Sequence, residues 1–352
     1  MAYSIVSSVA GYASKVQTEM FNKCKTSVLK VTEKIYKPEF DKILVREIKI
    51  DGGFANYDAS KGFDSAGADA NVEWVEYKAE NDRYLQLKAD AMKEKASYLA
   101  GSEPSVLVAL RQAINKSLAA EVDAVTMAHA YAASIAGNNT LETSTFKAGA
   151  FAQLIDIENK LFNKGIDADH IVYVFIRSDI FAGLEKEIIE KNGLANGAIL
   201  TTYTVEVPTH VNGEKPLEIN VACIKFNNLV LIKMPDDRMS TTVTLNDGRT
   251  STQEKGGYKA GATKMSAVVI PDGCMFTDVR YEVTNMLFPA YVLEYESQVE
   301  IDEAVKQLLG DFRIDKCGIN QKSNDFEIDV RVIYDSKAYK VNQDKILVFQ
   351  EE

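Results

Sequence analysis

Few side chains in this sequence stand in a pattern that could do chemistry. The three histidines, His129, His170 and His210, lie far apart, and none has a second histidine or a cysteine at metal-ligand spacing. Asp167, Asp169 and His170 could be taken for a metal cluster, but a polar turn before the next strand explains the same residues. The sequence therefore predicts no metal site and no cofactor.

Motifs for phosphate binding and nucleophilic catalysis are also missing from the sequence. The glycine-rich segment 256–261 lacks the Gly-Lys-Ser/Thr ending of a phosphate loop, and no Gly-x-Ser-x-Gly elbow occurs. Glu121 and Asp123 are two residues apart on a predicted helix, so they face different sides and cannot easily form a paired-carboxylate site. The four cysteines are widely spaced, which is typical of reduced thiols. We expect no catalytic residues, and a structural protein rather than an enzyme.

Length, composition and charge exclude several classes of protein. The chain has 352 residues, enough for two or three units with their own cores, and 46% of them are hydrophobic. No run approaches the roughly 18 consecutive apolar residues of a membrane span, and residues 1–15 lack the features of a secretory signal. With 40 basic and 51 acidic residues, the net charge of −11 argues against a surface that holds nucleic acid by its phosphates.

Three predicted elements cannot bury their own apolar surface. Residues 1–48 are expected to form an arm that carries a short amphipathic helix. Residues 49–97 are expected to form an extended hairpin, and residues 105–136 a helix about 45 Å long that ends before Gly137. Such elements become favourable when neighbouring copies cover them, so we predict a homo-oligomer.

Within the hairpin, strands at 72–77 and 83–87 are predicted to pair across a turn at Asn81-Asp82-Arg83. Its aromatic side chains and one arginine are candidate subunit contacts, because such residues dominate protein interfaces. The alternative is that they pack on the core of their own chain. The candidates are Phe54, Tyr57, Phe63, Trp74, Tyr77, Arg83 and Tyr84.

From residue 140 the pattern becomes α/β. The apolar segment 171–175 predicts a strand in the middle of a buried sheet, and helices are predicted after Ser144 or Thr145 and after Ser178. The polar segment 244–263 is long enough to be a functional loop. Its candidate residues are Asp247, Arg249, Lys255 and Tyr258. Further strands are predicted at 201–207, 217–226, 229–234, 265–270, 277–281, 291–295, 326–334 and 345–349, with an irregular stretch at 285–289 and an acidic helix at 299–309.

The order of these elements and several local motifs, over roughly residues 40–352, are similar to those of one family. The motifs are, in chain order, the aromatic-rich segment 53–63, Trp74, Asn81-Asp82-Arg83, Ala120-Glu121-Val122-Asp123-Ala124, and the closing residues Arg331, Tyr334, Asp335, Asn342 and Lys345. With these motifs the chain resembles the major capsid proteins of tailed bacteriophages, which have the Hong-Kong-97-type shell fold.

The resemblance implies an α+β fold of the phage major capsid type with five parts. These are an N-terminal arm (1–48), an extended β-hairpin loop (49–97), a peripheral domain with the long spine helix (98–139), an axial domain (140–265), and peripheral strands that return to the axial domain (266–352). The extended loop would lie across the adjacent subunit. The polar loop 244–263 would lie near the five-fold or six-fold centre.

The resemblance also implies a function and partners. The chain would assemble as hexamers and pentamers into the icosahedral head shell of a virion, in the host bacterial cytoplasm. The shell would enclose double-stranded DNA without sequence-specific binding, and a scaffolding protein, a portal and a decoration protein would be partners. Lys61 would be the donor of a lysine–asparagine crosslink of the kind that some relatives form, but a solvated lysine explains it and no crosslink is predicted.

Two alternatives remain at the level of sequence. An encapsulin-like nanocompartment shell would share the fold and the self-assembly. A small α/β enzyme or ligand-binding protein would instead use a cleft near His170 and Asp167.

Overall fold

A computed structural model of the protein describes residues 23–29, 34–36, 42–51, 69–90, 105–147, 149–190, 198–207, 217–250, 256–288, 314–319 and 325–350. Four predicted features lie outside these residues. They are the amphipathic helix of the arm, the aromatic-rich segment 53–63, the strand at 291–295 and the acidic helix at 299–309.

The described residues form α-helices, short 3-10 helices and strands. The helices are α1 (Ser105–Ala113), α2 (Ala119–Ala136), α3 (Ala150–Asn163) and α4 (Ser178–Glu190), with 3-10 helices at Lys25–Val28, Asp236–Arg238 and Lys340–Lys345. The strands are β1 (Lys34–Tyr36), β2 (Lys42–Asp51), β3 (Asp69–Lys78), β4 (Asn81–Ala89), β5 (Glu142–Thr143), β6 (Val172–Arg177), β7 (Ala198–Val207), β8 (Leu217–Phe226), β9 (Leu229–Met234), β10 (Val243–Leu245), β11 (Tyr258–Ala260), β12 (Met265–Pro271), β13 (Met275–Phe288), β14 (Ile314–Ile319), β15 (Phe326–Ala338) and β16 (Leu347–Gln350).

The larger sheet has seven strands in the order β5-β16-β12-β6-β9-β8-β7. β6 and β12 lie at its centre and are buried along their whole length, as the apolar segment 171–175 predicts. Successive residues of β6 point to opposite faces. Val174 packs with the apolar sides of α3 and α4, whereas Phe175 packs on the other face in a core shared with α2.

The smaller sheet has the order β14-β13-β15-β4, and β13 and β15 form a long antiparallel ladder. Alternate residues of β15, including Ile328 and Val330, share one core with Met127 of α2 and Val268 of β12. The helix α2 therefore lies between the two sheets, and its apolar residues are buried against both.

The extended hairpin is built from different strands than the sequence predicts. β3 pairs antiparallel with β2 along its whole length, whereas the predicted return strand, β4, pairs with β15. The predicted turn at Asn81-Asp82-Arg83 was wrong, because these residues begin β4. Polar side chains of β4 bind side chains of the neighbouring strand, and Arg331 of β15 donates a 2.7 Å hydrogen bond to Asp82. Ala79-Glu80 links β3 to β4, so residues 81–89 belong to the smaller sheet and not to the hairpin.

Several other elements match the predictions with local differences. The long helix spans 105–136, but a π-helical turn at Ile114–Leu118 joins α1 to α2. β13 continues through the part of the predicted irregular stretch that is described, because a bulge between Val283 and Asn285 adjusts its register. The polar segment 244–263 opens and closes as a short ladder of β10 with β11.

The predicted cap of α3 at Ser144 or Thr145 was also wrong. The Ser144 N–H donates to the carbonyl of Gln350 at 2.7 Å, so this segment is tied to the edge of the larger sheet. The helix begins later, at Ala150, after Gly149.

The end of α2 depends on one close approach of two backbones. Gly137 follows the helix, and Asn138 takes the left-handed conformation with φ of 59°. A Cβ at Gly137 would lie 2.4 Å from the carbonyl carbon of Gln343 and 2.5 Å from the nitrogen of Asp344. Glycine is therefore required here by lack of space, and it lets the last 3-10 helix pack against the helix end.

Replacing Gly137 with alanine should lower the free energy of unfolding by about 1–3 kcal/mol, because the added methyl group forces two backbones apart. The matched control is Gly183→Ala in α4, where no atom lies within 4 Å of the added Cβ. That change should be neutral or stabilising by up to about 1 kcal/mol, because it removes backbone freedom from the unfolded chain. Urea denaturation of both variants is the measurement, and equal midpoints would contradict this explanation.

Candidate functional site

Of the residues considered for chemistry, His210 lies outside the described residues, and His170 and Asp167 belong to a turn. The Nε2 atom of His170 lies 2.9 Å from the carbonyl oxygen of Asp272, and the His170 N–H donates to the carbonyl of Asp167, as a polar turn would. Within the described residues, no group of three histidine, cysteine or acidic side chains lies close enough to hold a metal ion. In the same part of the chain, no helix has the length and apolar character to cross a membrane.

A cavity of about 650 Å³ lies between α4, β8 and the start of the described chain. Phe181, Cys223 and Ile224 form much of its wall, and neither His170 nor Asp167 lines it. This cavity is therefore not the cleft near His170 and Asp167 that the enzyme alternative would use.

The carboxylate of Glu121, which is buried in α2, binds residues from distant parts of the chain. Its Oε1 atom lies 2.7 Å from Nε of Arg83 and accepts a 2.7 Å hydrogen bond from the Tyr334 hydroxyl. The Arg83 guanidinium also donates to Oε2 and to the carbonyls of Asn246 and Gly257, at 2.8–3.1 Å. One arginine thus joins the strand after the hairpin, the long helix and both sides of the polar loop. We call this the Glu121 junction.

A second buried carboxylate, that of Asp123, binds different partners. It accepts hydrogen bonds from the backbone N–H of Lys25, the backbone N–H of Thr26 and the Thr26 hydroxyl, at 2.8–3.1 Å. The Nη1 atom of Arg238 lies 2.6 Å from Oδ2 of Asp123. Glu121 and Asp123 therefore face different sides of the helix, as the sequence predicts, and Asp123 ties the start of the described chain to the body.

Burial is the largest influence on the pKa of Asp123 and on that of Tyr334, whose hydroxyl donates to Glu121. Burial raises the pKa of Asp123, whereas the Arg238 guanidinium and the Thr26 hydrogen bonds lower it, so the charge there depends on those partners. Burial and the adjacent Glu121 carboxylate raise the pKa of the Tyr334 hydroxyl well above its usual range, so this hydroxyl stays protonated and donates. Removing the cation from either site would leave a buried carboxylate without compensation.

The predicted subunit contacts divide into three groups. Phe54, Tyr57 and Phe63 lie outside the described residues. Tyr77 packs edge-on against Phe276 with ring centroids 5.3 Å apart, and its hydroxyl donates to Glu47. Tyr77 and Arg83 thus contact their own chain, and their part in a subunit contact stays a prediction. Trp74 and Tyr84 are exposed.

The candidates in the polar loop are held in a turn at its base. Asp247 accepts hydrogen bonds from the backbone N–H groups of Arg249 and Thr250, at 2.8 and 3.1 Å. The Tyr258 hydroxyl donates to Asp237 at 2.8 Å. Lys255 lies outside the described residues. These contacts shape the base of the loop, and a position of the loop near a symmetry axis stays a prediction.

The hairpin of β2 and β3 has one buried and one exposed face. Ile43 and Val45 pack with Phe276 and Tyr339 of the body. On the opposite face, Ile48 is 49% exposed, Val72 54% and Trp74 43%. Ile48 pairs with Val72 and Arg46 with Trp74 across the ladder, so the three apolar side chains form one patch. We call this patch the outer face of the hairpin.

Sequence reasoning did not find the Glu121 junction, although it singled out the motifs that form it. Arg83, Glu121 and Tyr334 come from three separate motifs of the resemblance and meet within one hydrogen-bonded group. The available signal was the pair of acidic residues in an otherwise apolar, alanine-rich stretch of helix, because a buried carboxylate needs a cation.

Replacing Arg83 with methionine should lower the free energy of unfolding by about 3–5 kcal/mol, because the Glu121 carboxylate would be buried without its cation. The double variant Arg83→Met/Glu121→Gln should recover most of this loss, since no charge remains and the amide still accepts from Tyr334. The control is Arg331→Met, whose bond to exposed Asp82 should be worth less than about 1 kcal/mol. Denaturation followed by circular dichroism measures all three. A loss for Arg83→Met no larger than that of the control would contradict this assignment.

No protein-family model matches the chain, and no curated protein matches it in sequence. Among solved structures, it is similar to the capsid structure of Staphylococcus phage Andhra, with a TM-score of 0.46, 8% identity and coverage of 94% of this chain and 84% of that chain. It is also similar to the structure of Mycobacterium phage Ogopogo, with a TM-score of 0.45, 12% identity and coverage of 93% of this chain and 92% of that chain. For the virus-like particle from Pyrococcus furiosus, the TM-score is 0.42 and the identity 10%, with coverage of 96% of this chain and 99% of that chain. Several of the matched structures are phage capsids, the class of protein that the sequence motifs resemble.

Proposed function

We propose that this chain is the major capsid protein of a tailed phage. In this proposal, hexamers and pentamers of the chain form the icosahedral head of a virion, which encloses double-stranded DNA. The observation that carries the proposal is the outer face of the hairpin, where Ile48, Val72 and Trp74 are exposed side by side. Contiguous exposed apolar side chains on a soluble chain mark a surface that another molecule covers.

A second copy of the chain is the occupant that fits this surface best. The patch is bordered by charges of both signs, with Lys42 and Arg46 on β2 and Glu76 on β3. A mixed border of this kind suits contact with another copy better than contact with a strongly charged partner. Trp74 is the kind of large aromatic side chain that contributes most to such contacts.

The hairpin is also held in a way that suits a projecting element. Its base is packed against the body through Ile43, Val45 and Tyr77, and the strand that follows it is fixed by Arg83 at the Glu121 junction. A rigid base lowers the entropy that is lost when the hairpin is ordered against a neighbour.

The overall charge supports a container for DNA. A net charge of −11 repels phosphates, so packaged DNA would not adhere to the wall. A scaffolding protein, a portal and a decoration protein are proposed as partners on the basis of the resemblance alone.

Replacing Trp74 with glutamate should raise the subunit concentration at which shells form by about tenfold or more, because one anchor of each contact would be lost and a charge buried. The matched control, Trp74→Phe, keeps an aromatic side chain and should still assemble. Sedimentation and negative-stain microscopy, with scaffolding protein added where needed, measure assembly. Shell formation by Trp74→Glu at the wild-type concentration would contradict the proposed contact, and a wild-type chain that stays monomeric under all conditions would contradict the function.

The runner-up function is an encapsulin-like nanocompartment shell, for which the same outer face would serve. The contents of the shell and the genes beside the one for this chain distinguish the nanocompartment from the phage head. A cargo protein with a docking tail, encoded beside this chain and found inside its shells, would favour the nanocompartment. Portal and terminase genes beside it would favour the phage head.

A further inference from the structure

Ala79-Glu80, which we call the corner, links β3 of the hairpin to β4 of the smaller sheet, and the structure ties it to the long helix. The Glu80 backbone N–H donates to Oδ2 of Asp335 at 3.1 Å. The other carboxylate oxygen of Asp335, Oδ1, lies 3.2 Å from Nδ1 of His129 on α2. The Asp335 side chain is almost completely buried, so its carboxylate bridges the corner and the helix.

His129 is placed to sense pH. Its Nδ1 atom lies 2.8 Å from the carbonyl oxygen of Ser336, so this nitrogen carries a proton and donates. The His129 side chain is 35% exposed, which gives the ring access to protons from solvent. Histidine is the side chain whose charge ordinarily changes near neutral pH.

Among the described residues, the charged groups around the ring lie on β15, at the corner and on β13. Asp335 and Lys337 of β15 act directly on His129. Lys337 also bonds the Glu80 carboxylate at 2.9 Å, so it links β15 to the corner a second time. On the neighbouring strand β13, Asp278 lies opposite Asp335 and is paired with Arg280 at 2.9 Å.

We propose that His129, Asp335 and the corner form a pH-sensitive latch that holds the hairpin against the body when His129 is protonated and loosens when it is neutral. The latch acts within one subunit, so it does not depend on the proposed shell function. It would make the freedom of the hairpin, and with it the presentation of its outer face, depend on pH near neutrality.

The direction of the effect follows from the two groups. Burial lowers the pKa of His129, but the bond and charge of Asp335 and the Ser336 carbonyl raise it, and the net pKa lies above the ordinary value of 6.5. The stabilisation by His129 is therefore complete below about pH 6.5 and is lost as pH rises through the folded pKa. Burial raises the pKa of Asp335, but His129 and Lys337 lower it below 3.8 overall, so its contribution is lost only in strong acid.

Hydrogen exchange of the unassembled chain, read by mass spectrometry on peptides that cover 78–90 and corrected for the intrinsic pH dependence of exchange, tests the latch. Wild-type protection of the corner should fall by about tenfold between pH 6 and pH 8, the scale of one hydrogen bond to a charged group. His129→Asn keeps a donor near the Nδ1 position but does not titrate, so its protection should be the same at both pH values.

The matched control is His170→Gln, which removes another imidazole ring from a site that bonds a backbone carbonyl. It should keep the wild-type pH dependence. Asp335→Asn keeps an acceptor for the Glu80 N–H but removes the charge, so it should also abolish the pH dependence if His129→Asn does not fold. Equal wild-type protection at both pH values, or a pH dependence that survives in His129→Asn or Asp335→Asn, would overturn the proposal.

Discussion

The burial of a single carboxylate, that of Glu121, constrains the arrangement of several distant segments. A charge in the core is tolerated only when cations and donors surround it, and here Arg83 and Tyr334 do so. Because Arg83 also binds both sides of the polar loop, the strand after the hairpin, the long helix and the loop must be in place together. The junction is therefore a condition for the native arrangement more than a source of stability.

The long helix acts as the common support of the molecule. It lies between the two sheets, so its apolar residues are buried on both sides. Its polar residues each hold a different outlying segment: Glu121 the strand after the hairpin, Asp123 the start of the described chain, and His129 the β15 residues that hold the corner. A support of this kind holds segments that are distant in sequence in defined positions.

The sequence predicts elements well where local pattern decides them, and poorly where long-range contacts do. The strands at 217–226 and 229–234 match to the residue, because apolar runs flank an Asn-Asn turn. The prediction that β3 pairs with β4 was wrong. By residue type, both β2 and β4 could form a hairpin with β3. The choice between them depends on long-range contacts, such as those of Asp82 and Arg83. Residue types can suggest that Glu121 needs a cation, but not which arginine supplies it.

The most direct test of the central claim, that another copy of the chain covers the outer face of the hairpin, uses the only tryptophan in the sequence. Trp74 lies on that face, so its fluorescence reports on this surface alone. As protein concentration rises and light scattering shows assembly, its emission should shift to shorter wavelength and its quenching by acrylamide should fall. Assembly that leaves both the emission and the quenching of Trp74 unchanged would contradict the claim.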